Sequence, residues 1–246
     1  GAENIKKIIN KDITHVFSSE YQYDTYFQLF YPDAVHVVID AQRSHVPISA
    51  SSIRQHGAIK SWDFLPEAVR KDVVKKVAVI GTESNGKTTL VQNLALFFNT
   101  KYVEEYGRTF MYEVGDTYTI PEDYHTIVMQ HWLNVEKEKR HANKVLFVDT
   151  EAVVTQNFSH LYEGEYQDII DAVIKIQQYD LVLFLEPDVK WVDDGTRVFG
   201  EESVRKKAHE ELMHLMNYHG IEYVMINGDF TNRLSQAYAE VEKILV

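Results

Sequence analysis

Two glycines, a lysine and a threonine in the stretch KVAVIGTESNGKTTLV, Lys76 to Val91, have the types and spacing that hold a chain of phosphates. Gly81 and Gly86 bracket four residues ahead of Lys87 and Thr88, which is the G-x-x-x-x-G-K-[ST] pattern of a P-loop. Phosphate oxygens need closely spaced backbone N–H donors, and a main chain freed of side chains at its glycines wraps tightly enough to supply them. The pattern predicts that Gly81, Glu83, Ser84, Asn85, Gly86, Lys87, Thr88 and Thr89 surround a nucleotide. Lys87 is expected to reach the β- and γ-phosphates and Thr88 to ligate Mg²⁺. Val77 to Ile80 is an apolar run of strand type, and Leu90, Val91, Leu94 and Phe97 repeat at helical spacing. The loop therefore opens onto a helix N-terminus whose dipole favours anions.

Acids follow at the ends of later apolar runs. Asp149 comes after VLFV, where a carboxylate orients Mg²⁺ or its waters beside a P-loop; a helix-capping aspartate is the alternative. Glu104 and Glu105 close the short run Tyr102–Val103, where a carboxylate accepts the proton of a substrate hydroxyl, and geometry must decide between them. The segment EPDVKWVDDGTRVFGEESVRKK has the mixed composition of a lid. Gly195 and Gly200 would be its hinges around Arg197, with Arg205 on the following helix, so that cations close over a transferring phosphoryl group. A surface loop of ordinary charge is the other reading. Trp191, Tyr106 and Tyr124 could stack on a flat ring, whereas Trp132 is expected in the core. His125, His131 and His141 lack the spacing of a metal set, so no zinc site is expected.

These groups need a scaffold, and composition bounds it. The 246 residues, 45% hydrophobic, suffice for one large domain or an ordinary domain with a smaller piece. There is no cysteine, which excludes disulfides and thiolate metal sites and fits a cytoplasmic location. No apolar run approaches membrane-spanning length, so no membrane partner is expected. With 25 basic and 37 acidic residues the net charge is −12, the wrong sign for a nucleic-acid partner.

Along the chain, Ile13 to Phe17 and Val35 to Ile39 read as strands, and YQYDTYFQLFY between them is ambiguous between a helix and a loop. Ser49, Ser51 and Ser52 offer hydroxyl caps to a helix carrying Ile53 and Arg54, which could hold a phosphate or simply cap the helix. Trp62 to Val74 is expected as one helix, with Phe64, Leu65, Val69 and Val73 on its apolar side. After the P-loop helix, strands at 102–103, 145–148, 181–185 and 223–226 alternate with helices. Thr119-Ile-Pro-Glu122 is a predicted capping box, and the last helix is expected to follow Asp229 or Thr231. The expected fold is α/β, a P-loop kinase-type parallel sheet with flanking helices over 75–246. Ligands gather at the carboxyl ends of such strands. The string Asn143-Lys144-Val145-Leu146 lacks the aspartate of a guanine-specificity element, and Asp149 is followed by Thr150 rather than a water-polarising glutamate. Phosphorylation of a small hydroxyl compound therefore remains.

Together these residues resemble a known family, the bacterial NadR proteins, which join a nicotinamide-nucleotide adenylyltransferase domain to a ribosylnicotinamide kinase domain. The resemblance covers nearly the whole chain. It rests on GTESNGKT, EYGRTF at Glu105 to Phe110, VDTE at Asp149, LYEG at Leu161 to Gly164 and WVDDGTR at Trp191 to Arg197. It implies a kinase that uses ATP and Mg²⁺ to phosphorylate the 5′-hydroxyl of nicotinamide riboside. Lys87, Glu105, Asp149, Arg197 and Arg205 would carry the chemistry, Tyr106, Arg108, Tyr124, Gln130, Trp191 and Asp193 would bind substrate, and Thr88 and Asp149 would hold the metal. For residues 1–74 it implies the closing part of a Rossmann-like nucleotidyltransferase, with Ser49, Ser51 and Arg54 of ISASSIR touching ATP phosphates. Family members usually have threonine where Ser51 stands, and the family's opening His-x-Gly-His is absent from this sequence, so adenylyl transfer is expected to be absent from the chain. That N-terminal part is expected to pack on the kinase domain, to pair with another copy in a homo-oligomer, or to receive its missing half from a separate fragment. A nucleoside or nucleoside-monophosphate kinase of the same fold, and a nucleotide-sensing regulator, are the rival readings.

Overall fold

A computed structural model describes residues 2–9, 11–115, 118–188 and 202–246. The contacts divide the chain into two compact units, Gly1–Gly57 and Ala58–Val246. The smaller unit contains α1 (Ala2–Ile9), β1 (His15–Ser18), α2 (Asp24–Phe30), β2 (Val35–Val38) and α3 (Ala50–His56). β1 and β2 run parallel, with His15 opposite Val35 and Ser18 opposite Val38. Parallel neighbours require a crossover, and the aromatic segment supplies it as a 3₁₀ turn, Tyr21–Tyr23, running into α2. Among the described residues of this unit only Ala2 and Tyr31 are buried apolar side chains, while Phe17 (60% exposed) and Leu29 (73%) face outward. Asp40 organises the following loop: its carboxylate accepts from the amides of Ser44, His45 and Val46. The Val46 amide leads the hydrogen bonds that hold its pKa down to about 2.

The larger unit begins with a 3₁₀ turn at Trp62–Phe64, then α4 (Glu67–Val73), β3 (Lys75–Ile80), α5 (Lys87–Phe97), β4 (Tyr102–Val103), α6 (Tyr106–Val114) and α7 (Asp123–Glu138). It continues with β5 (Val145–Asp149), α8 (Ala152–Glu163), α9 (Asp168–Ile176), β6 (Leu181–Leu185), α10 (Glu202–Tyr218), β7 (Val224–Ile226) and α11 (Phe230–Ile244). The five strands form one parallel sheet in the order β4-β5-β3-β6-β7. β3, β5 and β6 read as unbroken apolar runs because helices cover both faces. Alternate side chains serve opposite cores: Ala78 and Ile80 pack with Val128, Val153 and Leu212, whereas Val77 and Val79 pack with Leu94, Phe147 and Val241. Truncating the wholly buried Phe147 to alanine would cost about 3–5 kcal/mol. The β3 connection runs to edge strand β4 while β6 lies on the other side of β3. Strand order reverses at β3, and the crevice at its carboxyl end is where ligands sit in such sheets.

The structure corrects several local expectations. Pro66 interrupts the helix expected across Trp62–Val74, because proline removes a donor and turns the preceding residue extended. Trp62 and Leu65 are buried, whereas Phe64 and Val69 are exposed. The buried face of α5 uses Ala95 rather than Phe97, which is 64% exposed. No capping box forms at Thr119: its hydroxyl donates to Glu163 at 2.6 Å, and α7 starts at Asp123, whose carboxylate accepts from the Ile120 amide.

Candidate functional site

The loop between β3 and α5 is fixed by backbone conformations that only certain residues tolerate. Gly86 has φ +80°, and a Cβ there would stand 2.8 Å from the Phe230 ring; Gly81 has φ +147° with the Leu185 carbonyl 3.1 Å from its ideal Cβ. Ser84 adds a third left-handed residue at φ 61°. Asn85 is wholly buried and its amide donates to Thr82 Oγ1 at 3.0 Å and to Leu185 O at 3.4 Å. Lys87 opens α5 with its side chain buried and its Nζ 3.1 Å from Thr82 O, so the ammonium spans the loop. Ser84 to Thr89 and Arg108 line a pocket of about 250 Å³. A concavity of amides, one lysine and one arginine at a helix N-terminus is chemically an anion site.

Beside it stand carboxylates. Thr88 Oγ1 donates to Asp149 Oδ2 at 2.5 Å, joining the start of α5 to the end of β5. Asp149 is 1% exposed, and its other oxygen has no donor among the described residues. Burial, followed by the field of Glu105, pushes its pKa up to about 6, while Lys87, Thr88 and Arg108 pull the other way. Glu105 stands at the N-cap position of α6, just beyond β4, and pairs with Arg108 at 3.8 Å. Glu104 turns instead toward Tyr102, whose hydroxyl donates to it at 3.2 Å. His131 is buried, with Nε2 3.2 Å from the Thr150 carbonyl; burial holds it neutral by lowering its pKa. Glu151 caps α8 through the Val153 amide at 2.9 Å, and desolvation raises its pKa to about 7.

The residues singled out by sequence fall into separate places. Gly81, Ser84, Asn85, Gly86, Lys87, Thr88, Asp149, Glu105 and Arg108 converge at the carboxyl ends of β3, β4 and β5, with Thr89 at the pocket wall. Glu83 accepts a hydrogen bond from the Tyr162 hydroxyl. Tyr106 and Gln130 line a second groove of about 520 Å³, together with Glu104 and Glu113, between β4, α6 and α7. Tyr124 is buried in the core beside Val128, and burial raises its phenol to about 12. Trp132 packs against the same core. Arg205 is buried on α10, where it donates to Pro187 O at 3.3 Å. Ser49, Ser51 and Arg54 belong to the smaller unit, where Ser49 caps α3 by accepting from Ser52 N at 3.0 Å and Ser51 accepts from Arg54 at 3.3 Å. Trp191, Asp193 and Arg197 lie outside the described residues, as do the proposed hinges Gly195 and Gly200.

Sequence reasoning missed three residues near the cradle. Tyr162 stands in the quoted LYEG, yet nothing local shows that it reaches Glu83. His131 was weighed only as a metal ligand. Arg233 lies one position from the apolar stripe of α11 and reads as a solvated charge, although it is 1% exposed. Among the described residues no cluster of three or more His, Asp or Glu could hold a metal, and no helix is long and apolar enough to cross a membrane.

Residues 76–233 match the family model described as AAA domain. The trifunctional NAD biosynthesis/regulator protein NadR of Salmonella typhimurium is 34% identical over 213 residues, covering 85% of this chain and 52% of that protein. Its counterpart in Escherichia coli matches with the same figures. The chain thus spans about half the length of the curated relatives it matches. Among solved structures, a crystal structure of NadR protein in complex with NR has a TM-score of 0.78 at 26% identity, over 98% of this chain and 73% of that one.

Proposed function

We propose, from the premise that this chain belongs to the AAA domain family through residues 76–233 and is homologous to the NadR proteins, that it transfers the γ-phosphoryl group of ATP to the 5′-hydroxyl of nicotinamide riboside. The observation that carries the reading is the meeting of Thr88 and Asp149 at 2.5 Å beside the Lys87 cradle, with Glu105 close enough to act on Asp149. The complex of a NadR protein with NR supports the choice of acceptor.

Mg²⁺ takes hard oxygen ligands and usually binds through one or two carboxylates plus substrate phosphates. The buried Asp149 Oδ1, with no donor among the described residues, and the adjacent Thr88 hydroxyl fit that donor set. Bound there, Mg²⁺ would supply positive charge to the phosphate oxygens. Loop amides and Lys87 hold the triphosphate in line and offset the charge that develops in transfer. Glu105 accepts the hydroxyl proton as the 5′-oxygen bonds to the γ-phosphorus and the bond to the β-phosphate oxygen breaks, releasing ADP. Arg108 lies over the same pocket and pairs with Glu105, orienting it.

A coupled assay of ADP release tests this. Release that depends on nicotinamide riboside, and exceeds that with thymidine, cytidine or uridine, is expected. Equal rates without riboside would point to a regulator, and faster pyrimidine turnover to a nucleoside kinase. Adenylyl transfer is proposed to be absent from this chain, so nicotinamide mononucleotide, ATP and Mg²⁺ should yield no NAD.

A further inference from the structure

Arg233, on the first turn of α11, is only 1% exposed, and it is not among the residues that line the pocket at the P-loop. Its guanidinium makes four hydrogen bonds to parts of the chain far apart in sequence. Nε donates to Gly228 O at 2.8 Å, Nη1 to Asn85 O at 2.5 Å, and Nη2 to Glu186 O at 2.7 Å and to the Asp188 carboxylate. Asp188 also accepts from the Gly228 amide at 2.6 Å, which ties the turn after β7 to the segment after β6. One side chain thereby joins the P-loop, the end of β6 and the start of α11.

The contact with Asn85 has a consequence for the cradle. The carbonyl and N–H of a planar trans peptide point in opposite directions. Holding the Asn85 carbonyl toward Arg233 therefore turns the Gly86 N–H the other way, toward the pocket that Asn85, Gly86 and Lys87 line. Gly86 itself is left-handed at φ +80°, and a side chain there would meet the Phe230 ring, so glycine is required at this peptide. Asp188 compensates the guanidinium charge, so the contribution is orientation of a donor rather than added positive field. Lysine could not replace it, because a single ammonium on a flexible stem cannot reach three carbonyls and a carboxylate at once.

We propose that Arg233 is a positioning residue for the phosphate cradle, setting the direction of the Gly86 amide through the Asn85 carbonyl. The inference rests on the reading of this loop as the ATP site, and not on the identity of the acceptor. The test is calorimetric binding of Mg²⁺ and AMP-PNP to the full chain and to Arg233→Lys, well below the melting temperature, with circular dichroism to confirm folding. Affinity for AMP-PNP is expected to fall at least tenfold in a folded Arg233→Lys variant, with loss of the Gly86 amide shift that AMP-PNP causes in a ¹⁵N spectrum of the parent. Lower melting temperature with AMP-PNP affinity within twofold of the parent would overturn the proposal in favour of a purely structural role. Should Arg233→Lys not fold, Asp188→Asn serves instead. It removes the charge that anchors Nη2 while Nε and Nη1 keep only neutral carbonyls, so a loss of a few fold in AMP-PNP affinity is expected and an unchanged affinity refutes the idea. A parent that binds AMP-PNP but not nicotinamide riboside would sink the proposed acceptor and leave this inference to be judged on AMP-PNP alone.

Discussion

Each unit places small polar residues at the start of a helix with a cation nearby, but the two constellations are held very differently. In the smaller unit the hydrogen bonds around Ser49, Ser51 and Arg54 span three residues of sequence each. Around the P-loop they span far more: 61 residues from Thr88 to Asp149, 100 from Asn85 to Leu185 and 148 from Asn85 to Arg233. A local bond ties a motif to itself, so it shapes one turn. Long-range bonds to a five-stranded sheet over-determine the loop that holds Ser84 at positive φ in the pocket wall. The comparison teaches that similar residue types can be held by one turn of chain or by distant elements, and that only the second fixes a cradle in three dimensions.

Substitutions sharpen that contrast in a graded way. Lys87→Ala should lower phosphoryl transfer by about 10²–10³-fold, the scale for removing one preorganised charge from a transition state. The fold should survive, since among the described residues Nζ bonds only the loop's own Thr82 carbonyl; a steady-state rate within a few fold of the parent would remove the cradle from the mechanism. Asp149→Asn should raise the Mg²⁺ concentration for half-maximal rate about tenfold or more while nicotinamide riboside affinity changes little. An unchanged Mg²⁺ titration would contradict the metal role.

Buried acids set the next effect. Asp149 and Glu151 have folded pKa values raised to about 6 and about 7 by burial. Their unfolded values are lower, so the folded state holds more protons and stability falls as pH rises from about 4 through about 7. Glu151→Gln keeps an acceptor for the Val153 amide without the ionisation. Its melting temperature should exceed the parent's by a few degrees at pH 8 and match it at pH 5; parallel curves across that range would show that Glu151 is not the source of the slope. Smallest is Ser49→Ala, which removes the cap of α3 and should cost about 1 kcal/mol in the smaller unit, read from its denaturant midpoint.

Much of the larger unit was legible because two independent patterns agreed. β3, β5 and β6 are covered on both faces, so they appear as apolar runs, and Gly81 to Thr88 carries a spacing that few other structures need. Asp149 followed from its place after such a run. Less was legible wherever a neighbour distant in sequence decided the outcome. Helical periodicity could not tell Ala95 from Phe97, since both lie near the edge of the buried stripe. The Thr119 hydroxyl satisfies the capping pattern on paper but finds Glu163 instead. Glu104 and Glu105 are adjacent and chemically identical, and only the turn into α6 sends Glu105 toward Arg108 and Asp149. Arg233 was hidden for the same reason: its partners are three carbonyls and the distant Asp188 carboxylate, which no local side-chain pattern reports.

The central claim is that the cradle of the larger unit passes phosphate from ATP to the hydroxyl of a riboside, and ³¹P NMR of the reaction mixture tests it most directly. With nicotinamide riboside, ATP and Mg²⁺, the account predicts one new phosphomonoester resonance growing in step with ADP, and none in Lys87→Ala. Growth of inorganic phosphate with ADP, and no phosphomonoester, would contradict it.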